Sequence, residues 1–155
     1  MANVKPKPDN YHSVTPYLII KGAARAIDFY KKVFDARDDV RMDGPGGKIM
    51  HAEIKIGDSM VMLADEMPEM GHRSPVAYGG TPVSLVLYVP DADAVAAKLT
   101  ASGGKTIKPL ENQFWGDRMG TFADPFGHVW SIATHVEDVT PDEMQRRMAA
   151  MQPTH

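Results

Sequence analysis

His51 and Glu53 lie two residues apart in an apolar stretch of the chain. Side chains two residues apart in a β-strand point to the same face, so the pair shares one face. The opposite face then carries an apolar set suited to packing against a helix: Met50, Ala52, Ile54 and Ile56. An imidazole and a carboxylate on one face can hold a metal ion or act as a base with its orienting partner. We predict His51 and Glu53 as candidate catalytic residues; the alternative is a hydrogen-bonded polar pair that only shapes a pocket.

Aromatic, thioether and hydroxyl side chains alternate along other predicted strands. The pairs that share a face are Thr15 with Tyr17, Met60 with Met62, and Ser84 with Tyr88. Together they would line an apolar, polarizable cleft with hydroxyl groups, which suits a planar or amphipathic small molecule. We predict these six as ligand-binding residues. The alternative for the two tyrosines is a place in the core with only their hydroxyls at the rim.

The loop at residues 113–118 contains two adjacent aromatic residues followed by a glycine and a charge pair. Two bulky rings in one loop are hard to bury together, and exposed aromatic loop residues often serve binding. We therefore predict that Trp115 contacts a ligand. Arg118 is a candidate clamp for a carboxylate or phosphate, with a salt bridge to Asp117 or Asp124 as the alternative.

The composition predicts one self-sufficient domain. A chain of 155 residues, 43% of them hydrophobic, can bury a core without disulfides, and the absence of cysteine excludes thiol chemistry. The net charge of -3 gives no electrostatic footprint for nucleic acid or an anionic membrane. No apolar run approaches the roughly 18 residues of a membrane span, and the start lacks the apolar region of a secretory signal. We expect a cytoplasmic protein that binds neither nucleic acid nor membrane.

Two copies of one pattern position these residues. The pattern is strand, helix, strand, strand, strand, present in residues 14–65 and again in 81–136, with a linker without periodicity at 66–80. The predicted strands cover 15–20, 40–43, 49–56, 60–64, 84–89, 105–110, 118–123 and 128–134. The second helix is predicted to begin near Asp91 or Asp93. The first helix has its apolar face at Ala23, Ile27, Tyr30 and Phe34.

The two ends flank a single domain at residues 14–136. Residues 1–13 are predicted to be a flexible N-terminal tail, and residues 137–155 a C-terminal helix and tail. The Thr-Pro-Asp-Glu sequence from Thr140 is a strong helix start. One face of this helix must bury against the domain or another subunit: Met144, Met148 and Met151.

The repeated pattern also predicts the architecture. A crossover helix makes its flanking strands parallel, and short turns make the later strands antiparallel. Each copy is therefore a mixed sheet with a helix on one face. Two such sheets can curve toward each other and leave a concave space between their uncovered faces. The predicted fold class is α+β, with two βαβββ modules whose mixed curved sheets enclose a cleft; Trp130 should face a helix.

Five short motifs carry a family resemblance. Ile27-Asp28-Phe29-Tyr30 on the first helix and Asp124-Pro125-Phe126-Gly127-His128 before the last strand resemble the vicinal oxygen chelate superfamily of glyoxalases, bleomycin-resistance proteins and extradiol dioxygenases. The segments most similar to its PhnB-like branch are Val14-Thr15-Pro16-Tyr17-Leu18, His51-Ala52-Glu53 and Trp115-Gly116-Asp117-Arg118. The resemblance implies the glyoxalase/bleomycin resistance fold and a homodimer, to which the methionine face of the C-terminal helix could contribute.

The resemblance also allows a test for a metal site. Metal-dependent members place His or Glu on the first and last strands of each copy, and the corresponding positions here are Thr15, Met62, Ser84 and Ser131. Three hydroxyls and a thioether cannot compete with water for a divalent ion. We therefore predict no metal and no other cofactor, and we include Ser131 among the ligand-binding residues. The other histidines, His135 among them, have no partner at a useful spacing.

The sequence thus predicts a glyoxalase/bleomycin-resistance-like protein that binds a small organic molecule in the cleft between its two modules, without the superfamily's usual metal. Whether it is an enzyme stays open. The main alternative is a divalent-metal-dependent glyoxalase-type lyase or dioxygenase that uses His51 and Glu53. A third is a resistance protein that sequesters an antibiotic by the same binding mechanism.

Overall fold

A computed structural model describes residues 3–151, which form eight β-strands and four α-helices. In chain order they are β1 (Tyr17–Ile20), α1 (Ala23–Phe34), β2 (Arg37–Asp43), β3 (Ile49–Ile56), β4 (Ser59–Asp65), α2 (Pro75–Tyr78), β5 (Ser84–Tyr88), α3 (Ala92–Ala101), β6 (Lys105–Asn112), β7 (Asp117–Ala123), β8 (Val129–His135) and α4 (Pro141–Ala150). The predicted tails extend beyond the described residues, to residues 1–2 and 152–155.

The strands form two four-stranded mixed sheets with the same topology. The spatial order is β1-β4-β3-β2 in the first sheet and β5-β8-β7-β6 in the second. In each sheet the strand before the helix pairs in parallel with the last strand, and the other pairs are antiparallel. The predicted α+β class and the doubled pattern are confirmed.

The strand registers measure the repeat. Tyr17 pairs with Met62 in the first sheet and Val86 with Ser131 in the second, so each partner recurs 69 residues later. The antiparallel hairpins differ slightly, because residue 53 pairs with 62 while residue 121 pairs with 131. The second hairpin is therefore one residue longer, and Thr121 occupies the place that Glu53 has in the first sheet.

The chain divides into two compact units, each with one complete sheet and its crossover helix. Within the described residues, the first unit covers 3–81 and 125–127, and the second covers 82–124 and 128–151. In the first unit, α1 buries the apolar positions that its helical spacing predicted: Ala23, Ile27, Tyr30 and Phe34.

The start of α1 is capped from a distant strand. Gly22 precedes the helix with a φ of 94°, in the left-handed region that favours glycine, and has no side chain to cap it. Asp65, at the end of β4, instead accepts hydrogen bonds from the N–H groups of Gly22 and Ala23 at 3.0 Å each. It also accepts from the N–H of Ile49 at 2.7 Å. One buried carboxylate therefore joins α1, β3 and β4.

In the second unit, α3 covers one face of the sheet. Asp91 caps its first turn by accepting a backbone N–H at 3.0 Å, as predicted. Thr134 of β8 accepts from the N–H of Ala92 at 2.9 Å, so its side of β8 is the side that α3 covers. Trp130 lies on the same side, four residues earlier, and is buried. The prediction that Trp130 faces a helix is confirmed.

Several boundaries differ from the sequence prediction by one or more residues, and three of the differences have a clear physical reason. β1 begins at Tyr17 rather than at residue 15, after a proline that has no N–H for the ladder. β2 begins at Arg37 rather than at residue 40, and all its residues are exposed, so it lacks the alternation that would have marked it. The linker at 66–80 contains α2 and the 3-10 turn Pro68–Met70, which are too short to produce periodicity.

Met50 does not belong to the buried face of β3, contrary to the prediction. Met42 pairs with His51 and Asp43 with Ile49, so a bulge leaves Met50 without a partner in β2. Met50 is 40% exposed, while Ile49 is buried in its place. The other predicted positions on this face are buried: Ala52, Ile54 and Ile56.

The C-terminal helix begins as predicted. The hydroxyl of Thr140 accepts from the N–H of Glu143 at 3.3 Å, and α4 starts at the following proline. No residue of α4 is buried within the chain, and Met148 and Met151 are exposed. Among residues 3–151, no helix is both long and apolar enough to cross a membrane.

Candidate functional site

The open face of the first sheet, opposite α1, carries five of the predicted residues. Glu53 of β3 and Tyr17 of β1 both pair with Met62 of β4, which places all three on one face. His51 shares this face because it lies two residues from Glu53. Met60 lies on the same face, two residues from Met62, but is buried.

These polar side chains form a continuous hydrogen-bonded chain. The hydroxyl of Tyr17 lies 2.9 Å from Nδ1 of His51, and Nε2 of His51 lies 2.9 Å from Oε1 of Glu53. A carboxylate can only accept, so Nε2 carries the proton, and in a neutral imidazole the Tyr17 hydroxyl donates to Nδ1. Burial raises the pKa of Tyr17, which keeps its hydroxyl protonated.

The N-terminal segment, residues 6–13, lies over this face. The hydroxyl of Tyr11 donates to Oε2 of Glu53. The ammonium of Lys7 donates to the Tyr11 carbonyl at 2.6 Å, and the hydroxyl of Thr15 donates to the His12 carbonyl at 3.1 Å. Beneath the segment is a cavity of about 460 Å³, lined by Pro6, Lys7, Pro8, Tyr11, His12, Ser13, Thr15, Glu53 and Met62.

The four positions that the family resemblance implies for metal ligands do not provide suitable donors. Thr15 and Met62 offer a hydroxyl and a thioether, and the Thr15 hydroxyl already donates to a backbone carbonyl. In the second unit, Ser84 is exposed, and the hydroxyl of Ser131 lies 3.3 Å from that of Thr121. Within residues 3–151, no group of three or more His, Cys, Asp or Glu side chains is placed to hold a metal ion. This donor set does not fit a divalent ion.

The open face of the second sheet carries Ser84, Tyr88 and Ser131. Val86 of β5 pairs with Ser131, and Ser84 and Tyr88 flank Val86 on the same face. Ser84 and Tyr88 are exposed, and Ser131 is buried. Tyr88 is not a core residue: its side chain lies open except at the hydroxyl, which donates to Asp117 at 2.7 Å.

Asp117 is the centre of a cluster that the sequence analysis missed. It is only 3% exposed and accepts hydrogen bonds from the Tyr88 hydroxyl, from the Trp115 indole N–H at 3.0 Å, and from Nδ1 of His135 at 2.8 Å. Nε2 of His135 lies 2.9 Å from Asp138. The expectation that His135 has no partner is therefore wrong. Of its two partners, Asp138 is three residues away, whereas Asp117 is 18 residues away and is brought opposite His135 by the pairing of β7 with β8.

The charges of this cluster stabilise one another. Burial by itself raises the pKa of Asp117, but the hydrogen bonds from His135, Tyr88 and Trp115 outweigh it and lower the pKa. Hydrogen bonds to Asp138 and then to Asp117 raise the pKa of His135. The bond to Asp117 also raises the pKa of Tyr88. The arrangement favours the protonated form of His135 and the ionised form of Asp117, and it orients the Trp115 ring through the indole N–H.

The stability of the protein should depend on the protonation of His135. Because the pKa of His135 is raised in the folded state, its contribution is fully present below the unfolded value of about 6.5 and disappears as the pH rises through the folded value. The free energy of unfolding, measured by denaturant titration, should therefore differ more between wild type and His135→Gln at pH 5.5 than at pH 8.5. Asp138→Asn should reduce this pH dependence, and a difference that does not change with pH would contradict the assignment.

Arg118 lies on the other side of the second sheet. It directly follows Asp117 in β7 and so points to the face that α3 covers. Its guanidinium forms a bidentate salt bridge with Asp93 of α3, in which Nε and Nη2 lie 2.6 and 2.8 Å from the two carboxylate oxygens. The predicted salt-bridge partners, Asp117 and Asp124, were wrong. Arg118 is thus separated from the faces that carry the other predicted residues of its unit.

The Trp115 loop is held by the segment after β8. The carbonyl of Gly116 accepts from the N–H groups of Val136 and Glu137 at 2.9 and 3.0 Å. Arg147 of α4 donates to the Phe114 carbonyl at 3.2 Å and forms a salt bridge with Glu137. The rings of Phe114 and Trp115 also meet edge to face at 5.1 Å, so ring contacts and backbone hydrogen bonds together hold the loop.

The fold and these sites define a duplicated α+β protein in which a crossover helix covers one face of each sheet. Residues 11–132 match the model of the Glyoxalase/Bleomycin resistance protein/Dioxygenase superfamily, and the chain belongs to this family. The resemblance seen in the sequence is confirmed.

Individual relatives extend the comparison. The uncharacterized protein Mb0911c of Mycobacterium bovis is 45% identical over 141 residues, which cover 89% of this chain and 93% of that protein. The crystal structure of PA1353 from Pseudomonas aeruginosa is 28% identical, with a TM-score of 0.66 over 81% of this chain and 99% of that chain. The PhnB protein of Bacillus cereus is 22% identical, with a TM-score of 0.62 over 79% and 99%, and shares the fold.

Proposed function

We propose that the protein binds a small organic molecule on the open face of its first sheet, under residues 6–13, without a metal ion. The observation that carries this proposal is the cavity of about 460 Å³ whose wall includes Glu53, the end of the hydrogen-bonded chain from Tyr17 through His51. Cavities of this volume that combine apolar walls with a few oriented polar groups are typical of small-molecule sites.

The walls favour a flat, amphipathic ligand. Pro6, Pro8 and Met62 offer apolar surface, and the thioether of Met62 is polarizable and suits an aromatic ring. Glu53 offers a carboxylate whose orientation His51 fixes. A ligand with a ring and one hydrogen-bond donor would satisfy both kinds of wall.

In the second unit, Ser84, Tyr88, Trp115 and Ser131 stay candidate ligand contacts. The hydroxyl of Tyr88 and the indole N–H of Trp115 both donate to Asp117. These hydrogen bonds would hold the two rings in place for stacking on a ligand.

A ligand screen tests the proposal. Purified protein is screened by thermal shift against aromatic and amphipathic metabolites, since a ligand at 100 times its Kd stabilises the native state by about 2.7 kcal/mol. We expect hits that lose their effect in Met62→Glu, which places a charge on the cavity wall, and that keep it in Met70→Glu, at an exposed methionine outside the cavity. Equal binding by wild type and Met62→Glu would place the ligand elsewhere, and Trp115→Ala then tests the second unit.

The second candidate function is a metal-dependent lyase or dioxygenase, and the imidazole and carboxylate of His51 and Glu53 on one open face favour it. Metal analysis of the purified protein separates the two functions. Near-stoichiometric divalent metal that disappears in His51→Ala would overturn the metal-free proposal.

The homodimer is proposed on the family resemblance together with α4. Met148 and Met151 are exposed, and no residue of α4 is buried within the chain, so this face is available to a second copy. A protein that assembles in this way would cover both methionines.

A further inference from the structure

A side chain of the protein already occupies the acceptor that a ligand would use. Oε1 of Glu53 is bonded to His51, and Oε2 is bonded to the hydroxyl of Tyr11. Tyr11 comes from the segment over the cavity, 42 residues before Glu53 in the chain. A ligand hydroxyl that takes the place of the Tyr11 ring would donate to Oε2 as the O–H group of Tyr11 does.

The segment that carries Tyr11 is held by few contacts. Residues 6–13 contain no helix or strand, and the nearest backbone hydrogen bond to the sheet comes after them, where the carbonyl of Pro16 accepts from the N–H of Met62 at 2.9 Å. Besides the bond from Tyr11, the segment meets the sheet through His12, whose Nδ1 lies 3.5 Å from the Ser59 hydroxyl. Among the described residues, the Lys7 ammonium bonds only within the segment, to the carbonyls of Pro8 and Tyr11. Segments with exposed hydrogen bonds and little burial open at low free-energy cost.

We infer that Tyr11 is a built-in occupant of the site and that the ligand is a phenol that displaces it. This inference rests on the proposed function and names its ligand class. The phenol of Tyr11 shows which group the carboxylate accepts at this position. Because the Tyr11 ring is part of the chain, it competes with a free ligand at a high effective concentration. The apparent affinity for the ligand is therefore proportional to the fraction of time that the segment is displaced.

The charges of the cavity favour a neutral phenol over an amine. Lys7 lines the same cavity as Glu53, so the formal charges of the two side chains cancel. An ammonium ligand would meet Lys7 as a like charge, whereas a neutral hydroxyl donates to Glu53 at no such cost. The apolar surface of Met62 and the two prolines then takes the ring.

The test uses the side-chain analogues of tyrosine and phenylalanine. p-Cresol carries the ring and hydroxyl of Tyr11, and toluene is the same ring without the hydroxyl. Binding of each to the full chain is measured by an NMR titration of backbone amides, in wild type and in Tyr11→Ala. Tyr78→Ala removes an exposed tyrosine of α2 that does not line the cavity and serves as the matched control.

We expect p-cresol to bind Tyr11→Ala at least about tenfold more tightly than wild type, which corresponds to a native site displaced no more than about a tenth of the time. Toluene should gain much less, Tyr78→Ala should match wild type, and adding Glu53→Gln to Tyr11→Ala should remove the gain. Thermal melts of all variants check that each is folded.

Two results would overturn the inference while leaving the proposed function standing. One is equal p-cresol affinity in wild type and Tyr11→Ala, in a protein that binds hits from the metabolite screen. The other is an equal gain for p-cresol and toluene, which would mean that the vacated space only takes apolar surface. If neither the analogues nor the screened metabolites bind any variant, the proposed function fails together with the inference.

Discussion

Replacing Asp65 by alanine should lower the free energy of unfolding by roughly 3 to 5 kcal/mol, because it leaves three backbone N–H groups without their acceptor. Ala23 and Ile49 are fully buried, so water cannot replace the lost carboxylate at their N–H groups. The carboxylate also faces the positive end of the α1 dipole, where a negative charge is favourable. Denaturant titration followed by circular dichroism measures the loss.

Asp65→Asn is the matched control for this substitution. The amide keeps one oxygen for the N–H groups of Gly22 and Ala23, but its NH₂ group faces the N–H of Ile49, so the loss should be about half as large. If Asp65→Ala destabilises the protein by less than about 1 kcal/mol, the carboxylate is not the cap that holds α1 to β3 and β4.

Gly116→Ala should destabilise the second unit by about 2 to 4 kcal/mol. Gly116 has a φ of 104°, which a residue with a Cβ adopts only with strain. A Cβ built there would lie 2.0 Å from the carbonyl oxygen of Glu137, which is backbone and cannot rotate away. The Trp115 loop and the segment after β8 must therefore separate. Trp115 fluorescence in a Trp130→Phe background reports this separation, and chemical denaturation gives its cost.

Gly46→Ala separates the two causes. Gly46 has a φ of 71° and no heavy atom within 4 Å of its added Cβ, so it incurs only the backbone strain, about 1 kcal/mol. Equal destabilisation by the two substitutions would mean that the contact between Gly116 and Glu137 costs nothing, contrary to the geometry.

Local periodicity predicted most of the fold. The helical spacing from Ala23 to Phe34 defines α1, and the Gly57-Asp58 pair between apolar runs defines the hairpin of β3 and β4. The recurrence of the pattern predicted two equivalent sheets. Edge strand β2 was only partly predicted, because a strand with both faces exposed lacks alternation. The bulge at Met50 depends on the partner strand, so no pattern within β3 could reveal it.

The candidate site was predictable where it depends on alternation along one strand, as for His51 and Glu53. It was not predictable where distant segments meet. The bond between Tyr11 and Glu53 spans 42 residues, and that between Arg118 and Asp93 spans 25. A lone aromatic residue in a polar, proline-containing segment was the available signal for Tyr11. The bond between His135 and Asp117 forms because the register of β7 and β8 places the two residues opposite each other, and that register cannot be predicted from composition.

The capping of α1 by Asp65 has a counterpart that bears on how this architecture diverges. Thr134 follows Asp65 by 69 residues, at the equivalent position of the second sheet, and binds the first turn of α3 as Asp65 binds that of α1. Each half therefore completes its own helix with a side chain from its own last strand, one with a carboxylate and the other with a hydroxyl. Mutations on one open face leave the helix cap of the other half intact. Such independence lets a gene duplication specialise one half at a time: the positions of His51 and Glu53 are Met119 and Thr121 in the second copy.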